Sequence, residues 1–407
     1  MKNTCYSCGN TSPVEILDLG NLYLPRFLQS KDNWAPKFPL VLLFCPECKL
    51  VFLKEPTPRY LLYDNNYGYR SGINKTMRKE LADIVNSTIY TDKYVQLEDG
   101  DIVVDIGAND GTLLKEYPDE LFRVGWEPVK KFAEKLKKEL DPTFRYVSDY
   151  FHFDSKYGLA KIITAIAMFY DLPNPHQFLE DIKKTLHPEG IFIVQQNYLV
   201  SMLNNNAFDN IIHEHLQYYS LTSFENLLKD HNLEVFDVVE RDLNGGSFRA
   251  YCAHKGVFEP KTRLLAMRGV EKSIDWRGSL KNFREGVTDI CDELHIFVAA
   301  ESEKGKKIYI YGASNRGNTI VQAAGILQFI DCCAERNPEK YGKYFLGKKI
   351  VSEEEARQKA DYFLVLPWFF AQGEDSEIVK REKEFIDNGG SLIIPLPQLQ
   401  IISKNTI

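Results

Sequence analysis

No apolar run in the 407 residues reaches the roughly 18 positions that a membrane-spanning helix needs, so no bilayer partner is expected. The opening Met1-Lys2-Asn3-Thr4-Cys5 lacks the apolar core of a secretion signal. Basic residues are not in excess: 50 Lys and Arg stand against 57 Asp and Glu, a net charge of −7. That balance argues against a nucleic-acid partner, which usually meets a basic face. The chain has no internal repeat and no low-complexity tract, which removes solenoids and disordered linkers from consideration. These absences together predict a cytoplasmic globular protein whose thiols stay reduced. Its length predicts two or three domains.

What is present starts with cysteine. Cys5, Cys8, Cys45 and Cys48 form two Cys-x-x-Cys pairs separated by residues 9–44. Four thiolates in two pairs suit tetrahedral Zn²⁺ with no open coordination position, hence a structural ion. Such an ion lets a segment too small for its own core hold its shape. Cys252, Cys291, Cys332 and Cys333 show no ligand spacing and are expected as buried apolar residues.

The most informative stretch is Val103-Val104-Asp105-Ile106-Gly107-Ala108-Asn109-Asp110-Gly111. It reads as a strand, a glycine turn and a helix start. The spacing differs from the Gly-x-Gly-x-x-Gly of NAD-binding folds. An Asp before the glycines would repel a pyrophosphate. It suits a ligand with a cationic end, such as S-adenosylmethionine (SAM), approaching the backbone at Gly107 and Gly111 beside Asn109. Glu127 ends the next apolar run and is placed to accept ribose hydroxyls. Asp149 and Tyr150, after Val147, are placed for the adenine.

Alternation of strand and helix continues to about residue 255, with strands predicted near 102–106, 122–126, 162–166, 191–195, 234–239 and 248–253. This predicts a mostly parallel sheet with helices on both faces. A helix is predicted through Met77, Leu81, Ile84 and Val85, and a helical stretch over 261–304. A second α/β unit opens at Lys307-Ile308-Tyr309-Ile310-Tyr311-Gly312-Ala313 and continues near 345–347, 362–366 and 392–394. In such sheets, ligands bind beyond the carboxyl ends of the strands. Asn197 lies just past one of these ends. His213-Glu214-His215-x-x-Tyr218-Tyr219 follows, too closely spaced for the His-Glu-x-x-His of zinc peptidases. Such a cluster beside a cofactor site points to acid–base chemistry. At the second unit, Tyr311-Gly312-Ala313-Ser314-Asn315-Arg316-Gly317 is another strand-to-helix turn, where Ser314, Arg316 and backbone N–H groups are placed to receive a diphosphate. Arg249, after Gly245-Gly246, is a second anion candidate, although the glycine pair also fits a hairpin turn.

Taken together, these motifs make the chain resemble the SAM-dependent sugar C-methyltransferases that act on nucleotide-linked deoxy-ketosugars. The likeness covers nearly all of the chain. It includes both Cys-x-x-Cys pairs, Tyr67-Gly68-Tyr69-Arg70-Ser71-Gly72-Ile73-Asn74 and the Asp105 glycine turn. It also includes the His213–Ser220 block, Asn244-Gly245-Gly246-Ser247-Phe248-Arg249, the Tyr311–Thr319 turn and Leu366-Pro367-Trp368. Two departures stand out. The segment 165–171 lacks a His that many relatives carry after this strand, and Asn244 stands where many have His.

The resemblance implies a class I SAM-methyltransferase Rossmann-like α/β domain (71–258). A small N-terminal zinc-binding domain (1–70) and a C-terminal Rossmann-like α/β domain (259–407) flank it. It implies SAM and structural Zn²⁺ as cofactors, and a dTDP-, GDP- or CDP-linked keto-sugar in the cleft between the last two domains. Ser71, Asn197, Arg249, Ser314, Arg316 and Trp368 would hold that acceptor. A monomer or weak homodimer is expected. A carbon beside a ketone becomes nucleophilic when a base removes its proton and donors stabilise the enolate. His215 is the expected base, oriented by Glu214 or His213, with Tyr69 and Tyr218 bonding the sugar and enolate oxygens. The competing readings are an O- or N-methyltransferase of a related nucleotide-sugar, and a non-catalytic, zinc-stabilised binding protein.

Overall fold

The computed structural model describes residues 4–63, 70–132, 143–373 and 376–406. The predicted site residue Tyr69 lies outside them. Among the described residues, the strands form sheets of four, seven and eight strands. No described helix is long and apolar enough to cross a membrane.

The seven-stranded sheet positions the site. From edge to edge it runs Leu233–Arg241, Ser247–His254, Leu186–Asn197, Ala160–Ile166, Ile102–Ile106, Phe122–Trp126, Phe144–Val147. All neighbours are parallel except Ser247–His254, which is antiparallel to both of its partners. Ile102–Ile106 is rich in β-branched residues and buried from Val103 onward, as a strand covered on both faces must be. Chain order runs outward from this strand in both directions, so a crevice opens at its carboxyl end.

The flanking helices carry their own start signals. Asn174 caps Pro175–Thr185 by accepting from the Gln177 N–H at 3.1 Å, with Pro175 in the first turn. Ser220 and Ser223 form a reciprocal cap on Leu221–Lys229. The predicted helical stretch 261–304 is two helices, Thr262–Lys272 and Trp276–Glu303, broken where Asp275 caps the second. The longer one buries Leu280, Phe283, Val287, Ile290, Leu294 and Val298, a stripe at helical spacing.

The sheets are not divided as the expected domain boundaries divide the sequence. Gln217–Tyr218, from the middle region, pairs with Val51–Leu53 in the four-stranded sheet. Phe27–Leu28, from the N-terminal region, pairs with Tyr344–Phe345 in the eight-stranded sheet. One apolar core runs through both: Leu42 and Val51, Leu199 and Phe208, Phe283 and Val287, and Ile310 and Leu364 belong to it. The C-terminal sheet also holds the strands Cys332–Glu335 and Lys348–Ser352, which the sequence reading did not identify. Tyr344–Phe345 turns back into Lys348–Ser352 through Leu346 and Gly347 at φ 49° and 75°.

Candidate functional site

A cavity of about 300 Å³ lies at the carboxyl end of Ile102–Ile106. Asp105, Gly107, Asn109, Glu127, Asp149 and Tyr150 all line it, with Ser71. Gly111 does not line it but holds the turn, at φ 72° with its N–H donating to the Ala108 carbonyl at 2.8 Å. Gly107 has φ 74°, and a Cβ there would come within 3.2 Å of Met168, so the turn needs glycine on both counts.

The cavity wall is acidic. Among the described residues its lining carboxylates are Asp105, Glu127, Asp149, Asp171 and Asp181, against Arg59 alone among Lys and Arg. Burial pushes the Asp105 carboxyl up to about 7; the Thr164 hydroxyl, donating at 2.7 Å, opposes the shift and the Glu127 charge adds to it. Burial likewise raises Glu127, whose oxygens accept from the Asn109 N–H at 2.9 Å and the Val129 N–H at 2.8 Å. Two buried carboxyls crowded together are best relieved by a cationic ligand. The residues therefore fit SAM, with Asp105 and Glu127 as its natural holders.

Sequence reasoning missed several residues of this wall. Arg59 and Tyr63 reach it from the N-terminal region, and Met168 and Asp171 come from the turn after Ala160–Ile166. The Arg59 guanidinium lies over the Tyr150 ring at 4.6 Å. The Tyr63 hydroxyl donates to Asp171 Oδ2 at 2.8 Å. The segment at Ser71 and Gly72 docks on the glycine turn: the Ser71 N–H donates to Asn109 Oδ1 at 3.0 Å, and the Gly72 N–H to Asp110 Oδ2 at 3.1 Å.

The two histidines of the central block differ in their surroundings. His213 packs edge-on to Phe38 and donates from Nε2 to the Phe38 carbonyl at 3.2 Å. Burial pushes its pKa down to about 4. His215 donates from Nδ1 to the Asn210 carbonyl at 2.9 Å. A carbonyl can only accept, so this bond leaves the Nε2 of a neutral ring with a lone pair. Burial, then the Arg316 charge, push His215 down to about 3. Its ring lies 4.3 Å from that of Tyr170, whose neighbour Asp171 lines the cavity. Glu214 accepts from the Asn315 amide at 2.7 Å, and burial raises its carboxyl to about 7. Glu214 Oε2 and the Tyr218 hydroxyl are buried with no side-chain hydrogen-bond partner, the hydroxyl lying against the Ile212 backbone.

The expected acceptor contacts are redistributed. Arg249 is 1% exposed and fully engaged inside the fold, donating to Gln195 at 2.7 Å, Ser87 at 3.1 Å and Glu80 at 2.7 Å. With those donors committed to the helix Lys75–Asn86, the Ser87 after it and the strand at Gln195, it is not an anion contact. Arg316 binds Asp209 at 2.8 Å and the Asn244 carbonyl at 2.6 Å. Ser314 caps its helix by accepting from Gly317 at 3.1 Å. The Trp368 indole donates to Asp209 at 2.9 Å. Asn197 donates to Asn210 at 2.7 Å. Arg316 and Trp368 thus close onto the segment carrying the histidines, and the helix start at Ser314 faces protein groups.

The four N-terminal cysteines converge. Their sulfurs all lie within 4.8 Å of one another, with Cys5–Cys48 at 3.5 Å and Cys8–Cys45 at 3.4 Å. Sulfurs around tetrahedral zinc stand about 3.8 Å apart, as Zn–S bonds of about 2.3 Å require. The two turns repeat each other: Gly9 N–H donates to the Cys5 carbonyl at 3.1 Å, and Lys49 N–H to the Cys45 carbonyl at 3.0 Å. Gly9 and Lys49 both have positive φ, 72° and 66°. This is a donor set that could hold zinc. Cys252, Cys332 and Cys333 are buried and Cys291 half-buried, as expected of apolar packing.

Two family models match the chain. A methyltransferase domain matches residues 73–238, and a C-methyltransferase C-terminal domain matches residues 242–397. The C-methyltransferase NovU of Streptomyces niveus is 29% identical over 421 residues, covering 99% of this chain and 97% of that protein. Solved structures overlap it in part. An O-methyltransferase of a Brevibacillus brevis trans-AT PKS multienzyme, in complex with S-adenosyl-L-homocysteine, is 12% identical. It covers 51% of this chain and 82% of its own, at a TM-score of 0.35. A SAM-dependent methyltransferase of Clostridium acetobutylicum, also 12% identical, covers 44% and 92% at 0.34. With both family models and a full-length relative in agreement on methyl transfer, the chain is a SAM-dependent methyltransferase, similar over nearly its whole length to a C-methyltransferase.

Proposed function

We propose that this C-methyltransferase acts on a nucleotide-linked 4-keto-deoxysugar, with His215 as the base that forms an enolate beside the ketone. The observation that carries the base assignment is the His215 Nδ1–Asn210 carbonyl bond of 2.9 Å, which fixes the tautomer with a proton-accepting Nε2. His213, bonded to the N-terminal sheet at Phe38, is better suited to hold the segment in place.

SAM, when bound, supplies the electrophilic methyl group and leaves as its thioether. The chain's own residues do the rest. Asp105 would face the cofactor's cationic end and Glu127 its ribose hydroxyls, and Trp126 and Met168 give the same cavity an apolar wall. His215 Nε2 takes the proton from the carbon next to the ketone, and that carbon's electron pair forms the new carbon–carbon bond. Burial makes His215 a weak base, so the enolate oxygen needs strong donors near it. Tyr218 offers a hydroxyl with no side-chain partner, and Tyr69 is a second candidate. Residues 1–70 would supply the zinc-bound support, 71–258 the cofactor site and 259–407 the far wall of the acceptor cleft. The sugar would be one destined for a surface polysaccharide or a glycosylated natural product.

The test is incubation with SAM and a panel of dTDP-, GDP- and CDP-linked 4-ketosugars in deuterated water, read by mass spectrometry and NMR. A methyl group on carbon, or deuterium uptake beside the ketone, is expected. A methyl group on oxygen or nitrogen would replace the enolate mechanism with heteroatom transfer. SAM binding without turnover on any acceptor would favour a binding protein.

A further inference from the structure

We propose that Arg59 is a cofactor-binding residue, donating to the adenine ring nitrogen that lies beside the amino group held by Asp149. This rests on SAM as the cofactor and not on the identity of the acceptor. Arg59 opens the turn Arg59–Leu61, ahead of residue 73 where the matched methyltransferase domain begins. It nevertheless lines the cofactor cavity together with Asp149 and Tyr150. Its guanidinium lies over the Tyr150 ring, 4.6 Å from the ring centre, as a flat cation stacks on an aromatic face.

The guanidinium is uncommitted. Its Nε is buried without a partner, whereas its two terminal nitrogens keep accessible surface and make no hydrogen bond or ion pair with any described residue. None of the carboxylates lining the same cavity pairs with it. An arginine on a cavity wall with free N–H groups offers donors to a ligand. The turn that carries it is held at both ends. The N–H groups of Leu62 and Tyr63 donate to the Arg59 carbonyl at 2.9 and 3.0 Å. Arg26 donates to the Leu61 carbonyl, and the Tyr63 hydroxyl to Asp171 Oδ2 at 2.8 Å. The turn therefore reaches across the loops at Tyr150 and Asp171, which follow two strands of the seven-stranded sheet.

The chemistry of adenine selects the contact. Its amino group donates, and the ring nitrogen beside it, N1, only accepts. An ionised carboxylate such as Asp149 can meet the first but not the second. The backbone donor beside Asp149, the Tyr150 N–H, is spent on Asp149 Oδ1 at 2.7 Å. The Gln177 amide, also on the cavity wall, is spent on Asp181 at 3.3 Å. Arg59 is the side chain stacked on Tyr150 with N–H groups to give. An acceptor and a donor side by side fit adenine and disfavour hypoxanthine, which carries an oxygen in place of the amino group and an N–H in place of the bare N1.

The test is calorimetry on the full-length protein with S-adenosyl-L-homocysteine and S-inosyl-L-homocysteine, for wild type, Arg59→Met and Arg59→Lys. Wild type is expected to prefer the adenine ligand by about 100-fold or more. Arg59→Met should lose about tenfold or more in affinity for the adenine ligand and less than about threefold for the inosine ligand, which narrows the preference. Arg59→Lys, which keeps the charge and a donor, should fall between the two. Adenine affinity within about twofold of wild type in Arg59→Met overturns the role. So does an equal loss for both ligands, because that comes from charge or folding and not from the base. Wild type that binds both ligands equally overturns it without any variant. Wild type that binds neither removes the cofactor assignment and this role with it.

Discussion

Arg316 and Asp209 lock together where the start of the C-terminal helix Asn315–Ala323 meets the segment leading to the histidines. Arg316 Nε and Nη2 both reach Asp209 Oδ2, at 2.9 and 2.8 Å, and the Trp368 indole reaches the same oxygen at 2.9 Å. The Asp209 carboxylate is wholly buried. Breaking such a pair by removing one charge is costly, about 3–5 kcal/mol, because the other remains buried and unpaired. Arg316→Met is therefore expected to lower stability by that amount in denaturant titration. The double variant Asp209→Leu/Arg316→Met should recover much of the loss. A double variant no more stable than the single one would show that the pair is not the cause.

The raised Asp105 carboxyl makes cofactor binding pH-dependent. In the unfolded chain this group loses its proton near pH 4, but in the fold only near pH 7. Its contribution to stability is therefore full below about pH 4 and is lost as pH rises through 7. A cationic ligand needs the ionised form, so binding must release the proton at lower pH. SAM affinity is expected to weaken about tenfold from pH 8 to pH 6. Calorimetry in two buffers of different ionisation enthalpy should detect the proton release. Asp105→Asn should flatten the profile.

The two histidines should separate cleanly. His215→Gln is expected to bind SAM normally and lose methyl transfer by at least about 100-fold. His213→Gln breaks a buried bond to Phe38, so its main effect should be a stability loss of about 1–3 kcal/mol. Near-normal turnover by His215→Gln would exclude it as the base.

Arg249→Met tests the reassignment of that residue. It leaves Glu80 with Arg241 alone, at 2.7 Å. A stability loss of about 2–4 kcal/mol is expected, with KM for the nucleotide-sugar unchanged. A large rise in KM at unchanged stability would restore Arg249 as an anion contact.

Cys45→Ser should reduce bound zinc, measured by atomic emission, and lower the melting temperature by on the order of 10 °C. The cysteine turns are tied to the middle region through the Ser7 carbonyl, which accepts from His176 Nε2 at 2.6 Å. Instability should therefore reach beyond the first 60 or so residues. An unchanged melting curve in the metal-free protein would end the structural-zinc claim.

Local chemistry was legible in the sequence, and remote pairing was not. The Asp105 turn and Glu127 are each set by a strand end and its following loop, and periodicity reveals those strand ends. Phe144–Val147 is short and carries a surface Arg145, so no periodicity marks it as a strand. The Tyr344–Phe345 hairpin turns at Leu346-Gly347 without the Asn-Gly that usually signals one. Arg249 looked like an anion contact because its partner Glu80 is 169 residues away. Asp171 gave no signal, because one Asp in Met168-Phe169-Tyr170-Asp171-Leu172 reads as loop until Tyr63 and Glu214 are placed around it.

The strands traded between sheets impose a timetable on synthesis. Phe27–Leu28 waits for its partner Tyr344–Phe345, and Val51–Leu53 for Gln217–Tyr218. A growing chain therefore carries an N-terminal segment with open strand edges until most of its length has left the ribosome. Pairings so distant in sequence form slowly and leave sticky edges exposed in the meantime. Early metal capture by the cysteine turns would give that waiting segment a fixed shape. Fragments cut between the two matched domains, near residue 240, would keep at Phe27–Leu28 an edge that nothing covers, and such an edge invites aggregation.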